Sequence, residues 1–201
     1  KVALVTGAAR GIGLATSKLL IDQGWRVAMV DRDGDALEEA SAGLAKVIPF
    51  QFDVSIPESV DEMVNAVRQQ FGRIDAVVNN AGVMGSPQQS STDGFEPTWA
   101  TNFLAPFLTT ELLAASRNAH SSPPLRVVNV GSRLEKRSKL TADMLGLVAN
   151  PVAELQKPAN GIRASAYSDS KRALMLWIAA RCKALANGHA THVHASTPGM
   201  V

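Results

Sequence analysis

The chain has 201 residues, 46% of them hydrophobic, which is enough to bury one sizeable core within the size range of a single domain. Its 20 basic and 18 acidic residues are spread along the chain and leave a net charge of +2, so nucleic acid is not an expected partner. Cys182 is the single cysteine, which excludes an internal disulfide framework or a thiolate metal cluster; no apolar run approaches the roughly 18 residues of a membrane span, and a cytoplasmic protein is expected.

Lys1-Val-Ala-Leu-Val-Thr6 is too short for a signal peptide and reads as a strand. It is the first of six short apolar, β-branched runs: Val2 to Val5, Val27 to Val30, Val47 to Phe52, Ile74 to Val78, Val127 to Val130 and His192 to Ala195. Helical spacing fills the intervals at about 14–24, 33–45, 57–71, 94–117 and 162–187. This alternation predicts an α/β fold, a Rossmann-type doubly wound parallel sheet with helices on both faces and ligands at the carboxyl ends of the strands. Only residues 133–161 break the rhythm, as a long irregular loop with prolines at 151 and 158. A strand at the first residue, and Pro198-Gly-Met-Val201 directly after another, lead us to expect clipped ends and a missing C-terminal part of the fold.

The first loop is Thr6-Gly-Ala-Ala-Arg-Gly-Ile-Gly13. Gly7, Gly11 and Gly13, with Arg10 and Ile12 between them, let backbone approach a pyrophosphate, and the helix that follows offers free N–H groups and a positive dipole end. Asp31, 18 residues beyond Gly13, ends the second strand, where a carboxylate can accept hydrogen bonds from the adenosine ribose. NAD is therefore favoured over NADP, because a 2′-phosphate would meet a like charge at a cost on the order of several kcal/mol. Arg10 and Arg32 pull the other way, since both could bind that phosphate if Asp31 turned aside. Asp53-Val54, after the third strand, either reads an adenine edge or caps the 57–71 helix.

Further along, Trp99, Phe103 and Phe107 fall at helical spacing and are expected to pack against the sheet or a second subunit. Asn102 between them either orders a water or is a satisfied polar core residue. Ser132 ends the fifth strand, where a hydroxyl can hold a substrate oxygen. Tyr167 and Lys171 are four apart and so share a helix face, and an ammonium beside a phenol favours the phenolate needed for acid/base work. Cys182, among Leu174, Leu176, Ile178 and Leu185, reads as a small hydrophobe. His189, His192 and His194 lack a clear further ligand, and no metal site is expected.

Thr6 to Gly13, Asn79-Asn-Ala-Gly82, Asn102, Ser132, Tyr167 with Lys171, and Pro198-Gly199 follow one another as they do in short-chain dehydrogenases/reductases, and the chain resembles that family over essentially its whole length. The resemblance implies a single dinucleotide-binding and catalytic domain over 1–201 and hydride transfer between NAD(P) and a small-molecule alcohol or carbonyl. It implies that Tyr167 is the general acid/base, that Lys171 binds the nicotinamide ribose and assists the tyrosine, that Ser132 orients the carbonyl and that Asn102 maintains a proton relay. Asn80, Ala81 and Gly82 would line the cofactor cleft, Pro198, Gly199 and Val201 would pass beside the nicotinamide, and a homodimer or homotetramer would form through the fourth and fifth helices. The 35 residues from Ser132 to Tyr167, with Thr92-Asp-Gly-Phe-Glu96 and Asn129-Val-Gly-Ser-Arg133, look like the branch containing retinol dehydrogenases and related reductases of hydrophobic carbonyls, a branch that often prefers NADP. The alternative is a catalytically inactive dinucleotide-binding or redox-sensing protein, which would have no chemical reason to keep Ser132, Tyr167 and Lys171 together.

Overall fold

The computed structural model describes residues 1–84, 94–116, 123–145, 166–185 and 191–198. Among these, six parallel strands, β1 (Val2–Thr6), β2 (Arg26–Asp31), β3 (Val47–Gln51), β4 (Ala76–Asn79), β5 (Leu125–Val130) and β6 (Thr191–Ser196), pair in the order β3-β2-β1-β4-β5-β6. The order reverses between β1 and β4, so the loops after these two strands diverge and open a crevice at their carboxyl ends. The glycine loop and Asn80-Ala81-Gly82 both leave the sheet at that crevice.

Alternation within the strands separates two cores. In β2, Ala28 and Val30 face one side while Val27 and Met29 face the other, and none of the four is exposed. The first side is covered by α3 (Pro57–Phe71), by α4, which runs through Pro97–Trp99, a π-helical turn Ala100–Leu104 and Ala105–Ala115, and by α5 (Ala166–Leu185). The second is covered by α1 (Gly11–Asp22) and α2 (Gly34–Ser41). This is the doubly wound α/β sheet that the strand and helix pattern predicts.

Helix ends differ from the periodic reading for a physical reason. Spacing detects apolar side chains, and the first turn of α1 contains Gly11 and Gly13, so the helix starts three residues before the predicted 14. That start carries no side-chain cap and no acid, which leaves its N–H groups for another acceptor. In contrast, α2 is capped by Asp33 and ends at Ser41, short of the predicted 45. Phe103 is fully buried and stacks edge-on to Trp99 at 5.0 Å, while Phe107 meets Trp177 of α5 at 5.6 Å, so these aromatic residues pack within the chain.

Candidate active site

A cleft of about 470 Å³ lies at the crevice, lined among others by Gly7, Arg10, Ile12, Asp31, Arg32, Asp53, Val54, Asn80, Ala81 and Gly82. Thr6 ties together the two loops that form it. Its buried Oγ1 accepts from the N–H groups of Asn80 and Ala81, each at 3.1 Å, while Asn80 Nδ2 donates to the carbonyls of Thr6 and Gly7 at 3.0 Å. The loops after β1 and β4 are thereby locked to each other. Thr6→Val keeps the shape and strands two backbone donors, so we expect about 2 kcal/mol lower stability and weaker dinucleotide binding. Urea unfolding checks this, and an unmoved midpoint would show that Thr6 does not hold the two loops together.

Both oxygens of Asp31 are engaged by backbone, Oδ2 by the Ala9 N–H and Oδ1 by the Asp33 N–H, each at 3.1 Å. The carboxylate is thus held facing the glycine loop. Asp53 does not cap α3, whose cap residue is Ile56 without a side-chain bond. Its Oδ1 instead accepts from Ser55 N at 2.9 Å and Ser55 Oγ at 2.7 Å, a local turn that keeps the side chain on the cleft wall.

Tyr167 and Lys171 stand one turn apart near the start of α5, Tyr167 half-buried and Lys171 only 4% exposed. Lys171 Nζ donates to the carbonyl of Val130 at 2.8 Å, two residues before Ser132 on the end of β5. A methyl group placed on Gly82 would lie 3.6 Å from Nζ and 3.3 Å from Asn102 Oδ1. Gly82, which lines the cleft, therefore stands directly beside the buried Lys171 ammonium and the Asn102 amide.

Asn102 sits in the π-turn of α4 and is fully buried. Its Oδ1 accepts from Val83 N at 2.8 Å, and its Nδ2 donates to Val83 O at 2.9 Å and to Ser170 Oγ at 3.1 Å. Ser170 Oγ in turn donates to the Tyr167 carbonyl at 2.9 Å. Both amide donors of Asn102 are spent on protein, so the side chain binds the loop after β4 to the turn that carries the tyrosine.

Ser132 caps the 3-10 turn Arg133–Arg137, its Oγ accepting from Leu134 N at 3.3 Å. The described part of the 133–161 segment is held against α5. Glu135 pairs with Arg172 at 2.9 Å, Ser138 Oγ donates to Asp169, and Leu140 and Leu145 enter the main core. These contacts bring Ser132's segment and the first turn of α5 together. Residues 146–161 lie outside the described residues, as do Gly199 and Val201, whereas Pro198 is half-buried just after β6.

Cys182 departs from the sequence expectation. It is exposed on α5 and is not a buried hydrophobe; its Sγ donates to the Val193 carbonyl at 3.4 Å, on β6 at the end of the described sheet. His192 and His194 alternate with buried Thr191 and Val193 and are both exposed, and among the described residues no cluster of His, Cys, Asp or Glu could hold a metal. Sequence reading missed Thr6, Asp33, Phe52, Val83 and Ser170. Asp33 alone carried a usable signal, an acid directly before a helix.

Burial lowers the Lys171 ammonium from its ordinary 10.5 to about 8. Between these two pH values the folded chain has released a proton that the unfolded chain still holds, so stability should rise with pH across that window, by about 3 kcal/mol. In Lys171→Met the rise should vanish. Parallel curves for the two proteins, from urea unfolding at pH 7.5 to 10.5, would contradict the assignment.

Residues 1–141 match the family model described as short chain dehydrogenase. A short-chain dehydrogenase/reductase, prx1, of Penicillium roqueforti is 34% identical over 155 residues, covering 73% of this chain and 45% of that protein. Human retinol dehydrogenase 14 is 30% identical over 220 residues, covering 100% and 62%. The chain thus spans between 45% and 62% of the length of these curated relatives. Among solved structures, the 3-ketoacyl-(acyl-carrier-protein) reductase of Brucella melitensis complexed with NADH superposes with a TM-score of 0.76 at 26% identity, over 98% of this chain and 75% of that one.

Proposed function

Since the chain belongs to the short-chain dehydrogenase family, we propose that it serves an NAD-dependent oxidoreductase that moves a hydride between the cofactor and a hydrophobic alcohol or carbonyl compound. The observation that carries this reading is the buried Lys171, one helical turn from Tyr167, with its Nζ next to Gly82 of the dinucleotide cleft. The cleft fits a dinucleotide by its own chemistry: an uncapped helix N-terminus for the pyrophosphate and a fixed acid, Asp31, for the ribose.

When bound, a nicotinamide supplies the hydride donor or acceptor. The residues supply the proton and the orientation. In the oxidative direction Tyr167 takes the proton of the substrate hydroxyl as the carbinol carbon loses its hydride, and in reduction it returns that proton to the carbonyl oxygen. Lys171 stabilises the phenolate form and holds the nicotinamide ribose, while the Ser132 hydroxyl donates to the substrate oxygen. Asn102 and Ser170 hold the backbone of this turn in place.

Asp31 favours NAD because backbone N–H groups tie down both its oxygens, so it cannot turn aside for a 2′-phosphate. Val83 on the cleft wall and exposed Met84 beside it offer apolar surface to a hydrophobic substrate. No helix among the described residues is long and apolar enough to cross a membrane. We further propose a reducing compartment such as the cytoplasm, where an exposed Cys182 persists as a thiol, and self-association through α4 and α5. The test is absorbance at 340 nm with a panel of alcohols and ketones and with NAD, NADH and their phosphorylated forms. Turnover is expected, and a chain that binds no dinucleotide would end this reading.

A further inference from the structure

Two acids, Asp31 and Asp33, stand at the end of β2 and just after it, and they are used differently. Asp31 is tied to backbone, whereas Asp33 divides its carboxylate between Ala36 N, which it caps at 3.2 Å, and the guanidinium of Arg10 across the lip of the glycine loop. Arg10, Arg32 and Asp33 all line the same cleft. The Arg10 and Asp33 side chains are 69% and 44% exposed, so their pairing contributes little to the stability of the fold. Its consequence lies in what Arg10 remains able to bind.

A 2′-phosphate on the adenosine ribose carries close to two negative charges and needs a guanidinium fork with its donors available. In this cleft the guanidinium on the glycine loop already has an anionic partner. The hydrogen bond from Ala36, together with the Arg10 and Arg32 guanidinium groups, holds the Asp33 carboxyl below the usual range, so it is ionised at neutral pH. A phosphate arriving here meets one carboxylate that cannot rotate and a second that occupies its natural counter-ion.

We propose that Asp33 is a specificity-determining residue, which excludes 2′-phosphorylated dinucleotides by keeping Arg10 paired. This deepens the reading of the cleft as an NAD site and rests on it. The chain keeps two arginines suited to a phosphate beside two acids that oppose one, and a single neutralisation tips the balance.

The test is fluorescence titration of the full chain with NADH and with NADPH, in wild type, Asp33→Asn and Arg10→Met/Asp33→Asn. Asparagine retains an oxygen for Ala36 N and loses only the charge, and thermal melting checks that α2 remains capped. The affinity ratio of NADPH to NADH should rise about tenfold in Asp33→Asn and fall back in the double variant. A ratio that does not move, or both affinities falling with the melting temperature, overturns the role of Asp33 and leaves the NAD site intact. A rise that survives loss of Arg10 overturns the pairing argument as well. Wild-type protein that prefers NADPH, or binds neither dinucleotide, overturns the underlying reading itself.

Discussion

Tyr167→Phe is expected to lower kcat by ~10³-fold while dinucleotide affinity changes by less than about threefold, because positioned acid/base groups contribute roughly 10² to 10⁴. The substitution removes one oxygen. The ring remains to fill its half-buried place, and the turn beneath it is fixed by contacts that do not involve the phenol: Asn102 to Ser170, Ser170 to the Tyr167 carbonyl, and Ser138 to Asp169. Lys171 also keeps its bond to the Val130 carbonyl. A loss of rate therefore reads as lost proton transfer and not as a displaced helix. Single-turnover measurement of hydride transfer, with NADH fluorescence for binding, checks both halves. If kcat falls less than tenfold, the proton comes from elsewhere and the proposed chemistry is wrong.

The parts of this molecule that are legible in its sequence are those whose physics is periodic or local. Alternating apolar runs place the strands within a residue or two, and the glycines and Asp31 mark the cleft because only certain residue types suit a loop that must approach a phosphate. Contacts across the chain are not legible. Thr6 is an ordinary strand-end residue until the loop 74 positions later donates to it. Asn102 offers two readings, a buried amide or a water site, and the partners that decide its contacts, Val83 and Ser170, lie 19 and 68 positions away. The π-turn that carries it gives no sequence signal, since it differs from an α-helix by only one extra residue per hydrogen-bonded ring. Cys182 misleads because an apolar helix suggests burial all round, and α5 packs only part of its circumference against the sheet and α4.

The glycine loop gives the second large effect and separates two demands that a glycine can satisfy. Gly13→Ala is expected to cost about 3 kcal/mol and to weaken dinucleotide binding at least tenfold. Its Cβ would stand 2.1 Å from the Gly7 carbonyl oxygen and 2.6 Å from Asn80 Nδ2, and that same amide donates to that same carbonyl. The obstruction is backbone, so no side chain can swing clear, and relief requires parting β1's loop from α1 at the phosphate-facing turn. Gly11 is the contrasting case. It has φ +56, and a methyl group added there would meet nothing within 4 Å, so Gly11→Ala incurs only left-handed strain, about 1 to 2 kcal/mol. Urea unfolding of the two variants, each with NADH titration, should rank Gly13→Ala well below Gly11→Ala in both stability and affinity. Equal losses would mean that the close packing of α1 on the loops after β1 and β4 does not shape the cleft.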